Sequence, residues 1–217
     1  MRIDPSSFRP PSRATFVAFE GINGCGKTTL MKALSACLRQ RSVPVVETRE
    51  PGGTPLGEEL RRLLLEWPGE KKSARSELLL FAAGRAEHVD KVIRPALARG
   101  EWVLCDRFMH SSVAFQGYGR GIDLDLVSQA NDFAVQGTLP DLVVLIDIDP
   151  LEAQRRIARR QGSDKDSFEA EDLAFHRRIR DGFLECARSS PVPFLVLNGS
   201  RSPDELRAEA AEALSLA

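Results

Sequence analysis

Nothing in this chain of 217 residues marks a disulfide framework, a zinc site or a membrane protein. Its four cysteines, Cys25, Cys37, Cys105 and Cys186, are scattered and include no C-x-x-C pair. That argues against zinc and structural disulfides, and points to a reducing compartment. No apolar run approaches the roughly 18 residues of a membrane span, and the N-terminus has no apolar signal-peptide core, so no membrane partner and a cytoplasmic location are expected. With 30 basic and 31 acidic residues the net charge is −1. No global basic surface therefore advertises nucleic acid, and any anion binding has to be local. There is no internal repeat. An N-K-x-D guanine motif is also missing, since the loop where one would stand reads Asn198-Gly-Ser-Arg201, and this disfavours a regulatory GTPase. Residues 1–13 are rich in Pro, Ser and Arg and read as a flexible extension. Residues 14–217 are left as a single domain, with the 42% hydrophobic content of the chain sufficient for a core.

What is present begins at Phe19-Glu-Gly21-Ile-Asn-Gly-Cys-Gly26-Lys27-Thr28-Thr29, which satisfies G-x-x-x-x-G-K-[ST]. The segment Gly21, Ile22, Asn23, Gly24, Cys25, Gly26, Lys27, Thr28 and Thr29 is the expected cradle for nucleotide phosphates. Glycines let successive N–H groups point inward, Lys27 reaches the β- and γ-phosphates, and the Thr28 hydroxyl ligates Mg²⁺. The context is right. A β-rich run at Thr15–Glu20 precedes the loop, and Lys27–Arg41, with Leu30, Leu34 and Leu38 at four-residue spacing, follows as a helix.

Further β-rich runs at Val43–Thr48, Trp102–Cys105, Leu142–Ile148 and Pro193–Leu197 alternate with helical patterns. These helices are expected at Leu56–Glu66, Ser76–Val92, Asp125–Gln136, Pro150–Arg160, Glu171–Ser189 and Pro203–Leu216, with Ser76 and Asp125 as caps and Pro150 and Pro203 in first turns. The alternation predicts an α/β fold with a five-stranded parallel sheet and helices on both faces. Gln161–Ser167 is the least ordered stretch inside the domain by composition.

Open α/β sheets place ligands at the carboxyl ends of their strands. Asp106 at the end of the third run is thus a candidate for Mg²⁺ and Arg107 for a phosphate, the alternative being a helix cap beside a surface arginine. Asp147 and Asp149 compete for the metal role but are read as caps for the helix starting at Pro150. Arg49, before Pro51-Gly52-Gly53, is either a phosphate ligand or part of a plain tight turn. Phe81 and Arg85 share one helix face and offer a flat ring and a forked donor to one planar ligand, if they are more than a core ring and a solvated charge. Arg155, Arg156, Arg159 and Arg160 are either a solvated face or the cationic part of a closing lid. Phosphoryl transfer depends on positioned positive charge, which the phosphate loop supplies only through Lys27.

In order, the chain carries the phosphate loop, Thr48-Arg-Glu-Pro-Gly-Gly-Thr54, Leu78-Leu-Leu-Phe-Ala-Ala-Gly-Arg85 and Asp106-Arg-Phe-Met-His-Ser-Ser-Val-Ala-Phe-Gln-Gly-Tyr-Gly-Arg-Gly121. Taken together these segments resemble thymidylate kinases of the bacterial type. The resemblance implies a P-loop kinase fold with an arginine-rich lid around 155–169, transfer of the ATP γ-phosphate to dTMP with Mg²⁺, and a homodimer. It further implies that Phe81 stacks on thymine, Arg85 bonds its carbonyl edge and Arg107 holds the dTMP phosphate. Ser111, Ser112 and Gln116 would line the base and sugar pocket with Arg49, Glu50 and Asn23 in the same site, Glu169 would be a lid acid, and one or more of the lid arginines would be catalytic. A kinase of the same fold acting on dUMP or a deoxynucleoside is the competing enzyme reading, against which Arg107 argues for a phosphorylated acceptor.

Three positions depart from the family pattern. Asn23 stands where Asp or Glu is usual, keeping hydrogen bonding without charge. Phe115 replaces a common Tyr and removes a hydroxyl near the sugar. Ser167 replaces an Arg that often follows the lid Asp, which shifts the catalytic burden to the arginines before it.

Overall fold

A computed structural model describes residues 14–159 and 167–216. The segment 1–13, read as a flexible extension, Arg160 and most of Gln161–Ser167 lie outside the described residues.

The five expected β-runs form strands β1 (Phe16–Glu20), β2 (Val45–Arg49), β3 (Trp102–Asp106), β4 (Leu142–Asp147) and β5 (Phe194–Asn198). They make one parallel sheet in the order β2-β3-β1-β4-β5. β1 lies at the centre, entirely buried as Phe-Val-Ala-Phe-Glu, and β4 is nearly as apolar because helices cover both faces. The chain adds strands on the β3 side of β1 before crossing to β4. This change of direction opens the crevice at the carboxyl edge, where the phosphate loop leaves β1.

The helices are α1 (Lys27–Gln40), α2 (Pro55–Leu65), α3 (Ala74–His88), α4 (Arg94–Ala98), α5 (Met109–Ser112), α6 (Leu124–Val135), α7 (Pro150–Ala158), α8 (Leu173–Ser189) and α9 (Pro203–Ala213). Leu30, Leu34 and Leu38 bury one stripe of α1, as their spacing predicts. Two caps need correction. Ser73, not Ser76, caps α3, its hydroxyl accepting from the Ser76 N–H, and Asp123, not Asp125, caps α6 by accepting from the Asp125 and Leu126 N–H groups. In both cases the cap is the last residue before the helical turn begins, two or three positions ahead of the expected one. Asp149 does cap α7, but Asp147 is no cap: it accepts from Arg180 of α8 at 2.6 and 2.9 Å.

Two π-helical segments escape the sequence reading. Val89–Ile93 splits the expected Ser76–Val92 helix from α4, and Val113–Gly119 continues α5. The second matters for function, since a wider turn re-aims side chains that an α-helical spacing would send elsewhere.

Candidate active site

The phosphate loop owes its shape to glycines where side chains do not fit. Gly24 has φ +79°, and a Cβ there would come 2.7 Å from the Ala153 carbonyl oxygen of α7. Gly26, at φ +105°, precedes Lys27, the first residue of α1, so the free N–H groups of that helix face the loop. Lys27 is 7% exposed, and its Nζ donates to the Gly21 and Ile22 carbonyls at 3.2 and 3.1 Å. The Thr28 hydroxyl donates to Asp106 Oδ2 at 2.5 Å, joining the loop to the end of β3.

Arg107 follows β3 with φ +74°, a left-handed backbone rare for a side chain of this size. The twist turns its guanidinium back toward the loop. One terminal nitrogen donates to the Gly21 carbonyl at 2.9 Å and to Ser111 Oγ at 3.2 Å, and the other donates to Asn23 Oδ1. Asn23 thus keeps the hydrogen bond that an acid would make. The guanidinium also lies 5.0 Å above the Phe115 ring, the position where a tyrosine is common.

Behind Arg107 lies Glu20, the last residue of β1. It is fully buried and accepts from the Phe108 and Ser111 N–H groups and the Ser111 hydroxyl at 2.9, 3.1 and 2.6 Å. Burial pushes its carboxyl above the ordinary glutamate range, and the charge of Arg107 pulls the other way. The available signal was a lone charge ending an otherwise apolar strand.

On the acceptor side the four family segments converge. A cavity of about 770 Å³ is lined by Asn23, Gly24, Lys27, Thr28, Arg49, Glu50, Phe81, Asp106, Arg107, Ser111, Ser112, Phe115 and Gln116, with Phe168 and Glu169 from the far end of the expected lid. The Gln116 amide nitrogen is buried with no partner, which suits it to a ligand acceptor. Arg49 lines the cavity while bonded to Glu58 at 3.0 Å.

Arg85, expected to bond the carbonyl edge of the base, is not itself among the residues that line the cavity. At 1% exposure it lies beneath the cavity wall, donating to Glu50 at 2.8 Å, Ser112 at 3.0 Å, Asn131 at 2.7 Å and the Phe108 carbonyl at 3.2 Å. These bonds engage four of its five N–H groups. Glu50 is braced from its other side by His88, whose Nδ1 lies 3.0 Å from Glu50 Oε1 and whose Nε2 lies 2.6 Å from the Thr48 hydroxyl oxygen. Neither His88 nor Asn131 carried a sequence signal, since each looks like an ordinary polar residue of an amphipathic helix.

Among the described residues of the arginine cluster, Arg155, Arg156 and Arg159 do not line the cavity. Arg155 and Arg156 pair with Glu152 on their own helix, and Arg159 ends α7. That helix nevertheless packs against the phosphate loop at Gly24. Ser167 bonds to the Leu64 carbonyl at 3.1 Å, so the residue replacing the usual arginine anchors the turn to α2.

A strand-to-helix phosphate loop that shares one cavity with a neighbouring-strand aspartate and a pocket of aromatic and amide groups defines a P-loop nucleotide kinase. The thymidylate kinase family profile matches residues 19–210. The thymidylate kinase of Deinococcus radiodurans is 47% identical over 204 residues, covering 94% of this chain and 98% of the relative. That of Geotalea uraniireducens is 42% identical over 198 residues, covering 89% and 92%. The crystal structure of thymidylate kinase from Ehrlichia chaffeensis matches with a TM-score of 0.73 at 36% identity, covering 92% of this chain and 98% of that one. The chain belongs to the thymidylate kinase family.

Proposed function

We propose that the cavity running from Lys27 to Gln116 holds both nucleotides as this enzyme phosphorylates dTMP to dTDP with ATP and Mg²⁺. The observation that carries this division of labour is the placement of Arg107 between the two ends, bonded at once to the phosphate loop and to the serine segment. Gly21–Thr29 and the N-terminus of α1 cradle the ATP phosphates, and Lys27 turns its ammonium onto the transferring group. Arg107 holds the acceptor phosphate. Phe81 stacks on the thymine, the fifth N–H of Arg85 and the Gln116 amide address its polar edge, and Ser111, Ser112, Asn23, Arg49 and Glu50 complete the acceptor site. A polar edge met by buried donors discriminates far more strongly than one methyl group of contact.

Thr28 and Asp106 fit Mg²⁺, an ion held by one or two protein oxygens together with substrate phosphates and water. When bound, the ion neutralises charge that develops on the β- and γ-phosphate oxygens. Arg155, Arg156, Arg159 and Arg160 supply the remaining positive charge, and Glu169 is the lid acid. The contact of α7 with Gly24 supports this reading, because it sets the arginine-bearing helix beside the loop. We read 14–217 as one domain with its lid around 155–169.

Initial rates of ADP release with dTMP, dUMP, dCMP and dGMP test the acceptor site. dTMP is expected to have the highest kcat/KM, with dUMP lower by roughly 10-fold for the missing methyl and the other two by 10³-fold or more for mismatched edges. Equal rates with dCMP would remove Phe81, Arg85 and Gln116 from the reading.

The homodimer is supported by large apolar side chains exposed on the mutually packed helices α2, α3 and α6, namely Leu63, Leu79, Leu126 and Phe133, the last at 78%. Sedimentation velocity of the wild-type chain is expected to give a dimer and Phe133→Asp a monomer; a wild-type monomer at micromolar concentration would refute the assignment. A cytoplasmic location is supported by four free thiols, and no helix among the described residues is long and apolar enough to cross a membrane.

A further inference from the structure

Arg120 lies in the segment Gly117-Tyr-Gly-Arg-Gly121, to which neither the phosphate site nor the acceptor site assigns a task. Its environment is built, not incidental. Nε and a terminal nitrogen donate to both oxygens of buried Glu77 on α3, at 2.9 and 3.0 Å, and the other terminal nitrogen donates to Glu171 Oε1 at 2.6 Å. Lys71 reaches the same Glu171 oxygen at 2.6 Å. The guanidinium carbon lies 4.6 Å from the centroid of the Phe175 ring and 5.4 Å from that of Phe168. Gly119 makes room for this stack, since a Cβ there would sit 2.8 Å from the Phe175 ring edge.

The far end of this clamp is the turn Ser167–Glu171, closed by the Glu171 N–H donating to the Phe168 carbonyl at 3.2 Å. Phe168 projects from it into the cavity, 6.0 Å from Phe81 and 5.5 Å edge-on to Phe115, whose face carries Arg107. A phenylalanine held at one end by an ion pair on α3 thus forms a wall of the pocket that Phe81 and Gln116 line.

We propose that Phe168 is a third aromatic wall of the acceptor-base site and that Arg120 is its positioning residue, clamping the turn Ser167–Glu171 to α3 so that the ring meets Phe81. The inference rests on the reading that thymine binds at Phe81. A bidentate arginine fork locks both position and orientation of its partners, which a lysine point charge does not. Acceptor affinity should therefore depend on the fork as well as on the charge.

Steady-state kinetics with dTMP and ATP varied separately provide the test, with melting temperatures followed in parallel. Phe168→Ala is expected to raise the KM for dTMP about 10-fold, with kcat and the KM for ATP within about twofold. Arg120→Lys is expected to raise it about fivefold alone and less than twofold in the Phe168→Ala background, because the arginine acts through the ring. Additive effects, an equal rise in the KM for ATP, or an unchanged KM for dTMP in a folded Phe168→Ala protein would overturn the proposal. If Arg120→Lys does not fold, the Arg120→Gln, Glu77→Gln pair removes both buried charges together, and the same dependence on Phe168 is required of it. Phe81→Ala separates the two levels. If it raises the KM for dTMP while the Phe168 and Arg120 variants do not, only the present proposal fails; if it too has no effect, the placement of the base is wrong and the proposal falls with it.

Discussion

Lys27→Ala is expected to lower kcat by about 10³-fold or more while leaving the fold intact. Lys27 is the loop's own cation, and its ammonium sits on the Gly21 and Ile22 carbonyls, within the segment that wraps the phosphates. Its removal takes away charge that matters most as the phosphoryl group moves. The fold has little stake in it. The bonds of Nζ are to its own loop, alanine is the best helix former for the first position of α1, and the loop is shaped by Gly21, Gly24 and Gly26. Single-turnover transfer to dTMP and a melting curve check both halves: turnover near the wild-type rate, or a melting temperature lowered by many degrees, would contradict the role given to this residue.

Arg107→Ala is expected to cost about 10³-fold in kcat/KM for dTMP and, unlike Lys27→Ala, to cost stability as well. The side chain bridges the phosphate loop, Asn23 and Ser111, and it stands 4.0 Å from buried Glu20. Its loss leaves that carboxylate with hydrogen bonds but less compensating charge. The pH dependence follows from the sign of the Glu20 shift. Burial already holds the folded-state value above the unfolded one, and removing Arg107 raises it further. A carboxyl raised in the folded state favours folding below its unfolded value, and that contribution is lost as pH rises through the folded one. The stability deficit of Arg107→Ala against wild type should therefore shrink as pH falls from about 8 toward about 5. Adding Glu20→Gln should recover much of the stability at neutral pH without recovering activity. A deficit that grows on acidification would show that Glu20 is not the partner that matters.

The phosphate loop was the plainest local signal, because G-x-x-x-x-G-K-[ST] needs specific residues at consecutive positions and its strand and helix neighbours are legible from periodicity. It identifies where ATP binds and says nothing of the acceptor. Arg49, Phe81, Arg85 and Arg107 stood out as open candidates from position alone, and resemblance gave the acceptor residues their roles, as separate segments spread from Thr48 to Gly121. Even then the surroundings of Arg85 were not legible. An arginine four residues after Phe81 looks like a ligand on one helix face, and only the packing of Glu50, Ser112 and Asn131 around it shows it buried beneath that wall. The π-helical segment Val113–Gly119 was missed for a related reason. Its glycines and aromatics carry no α-helical period, and the wide turn is held by contacts with α8 and α6.

By itself, then, the sequence determined the alternation of strands and helices, the phosphate loop with Lys27 and Thr28, and the carboxylate and arginine at the end of β3. Each of these depends on residues adjacent in the chain, where propensity, glycine freedom and motif spacing act directly. Tertiary structure alone decided that Glu20 backs Arg107, that His88 and Arg85 brace Glu50, and that Arg120 ties Phe168 to the acceptor pocket. Those pairings join residues tens of positions apart, and their charges meet only because the parallel sheet brings the ends of β1, β2 and β3 to one edge while α3, α6 and α8 close over it.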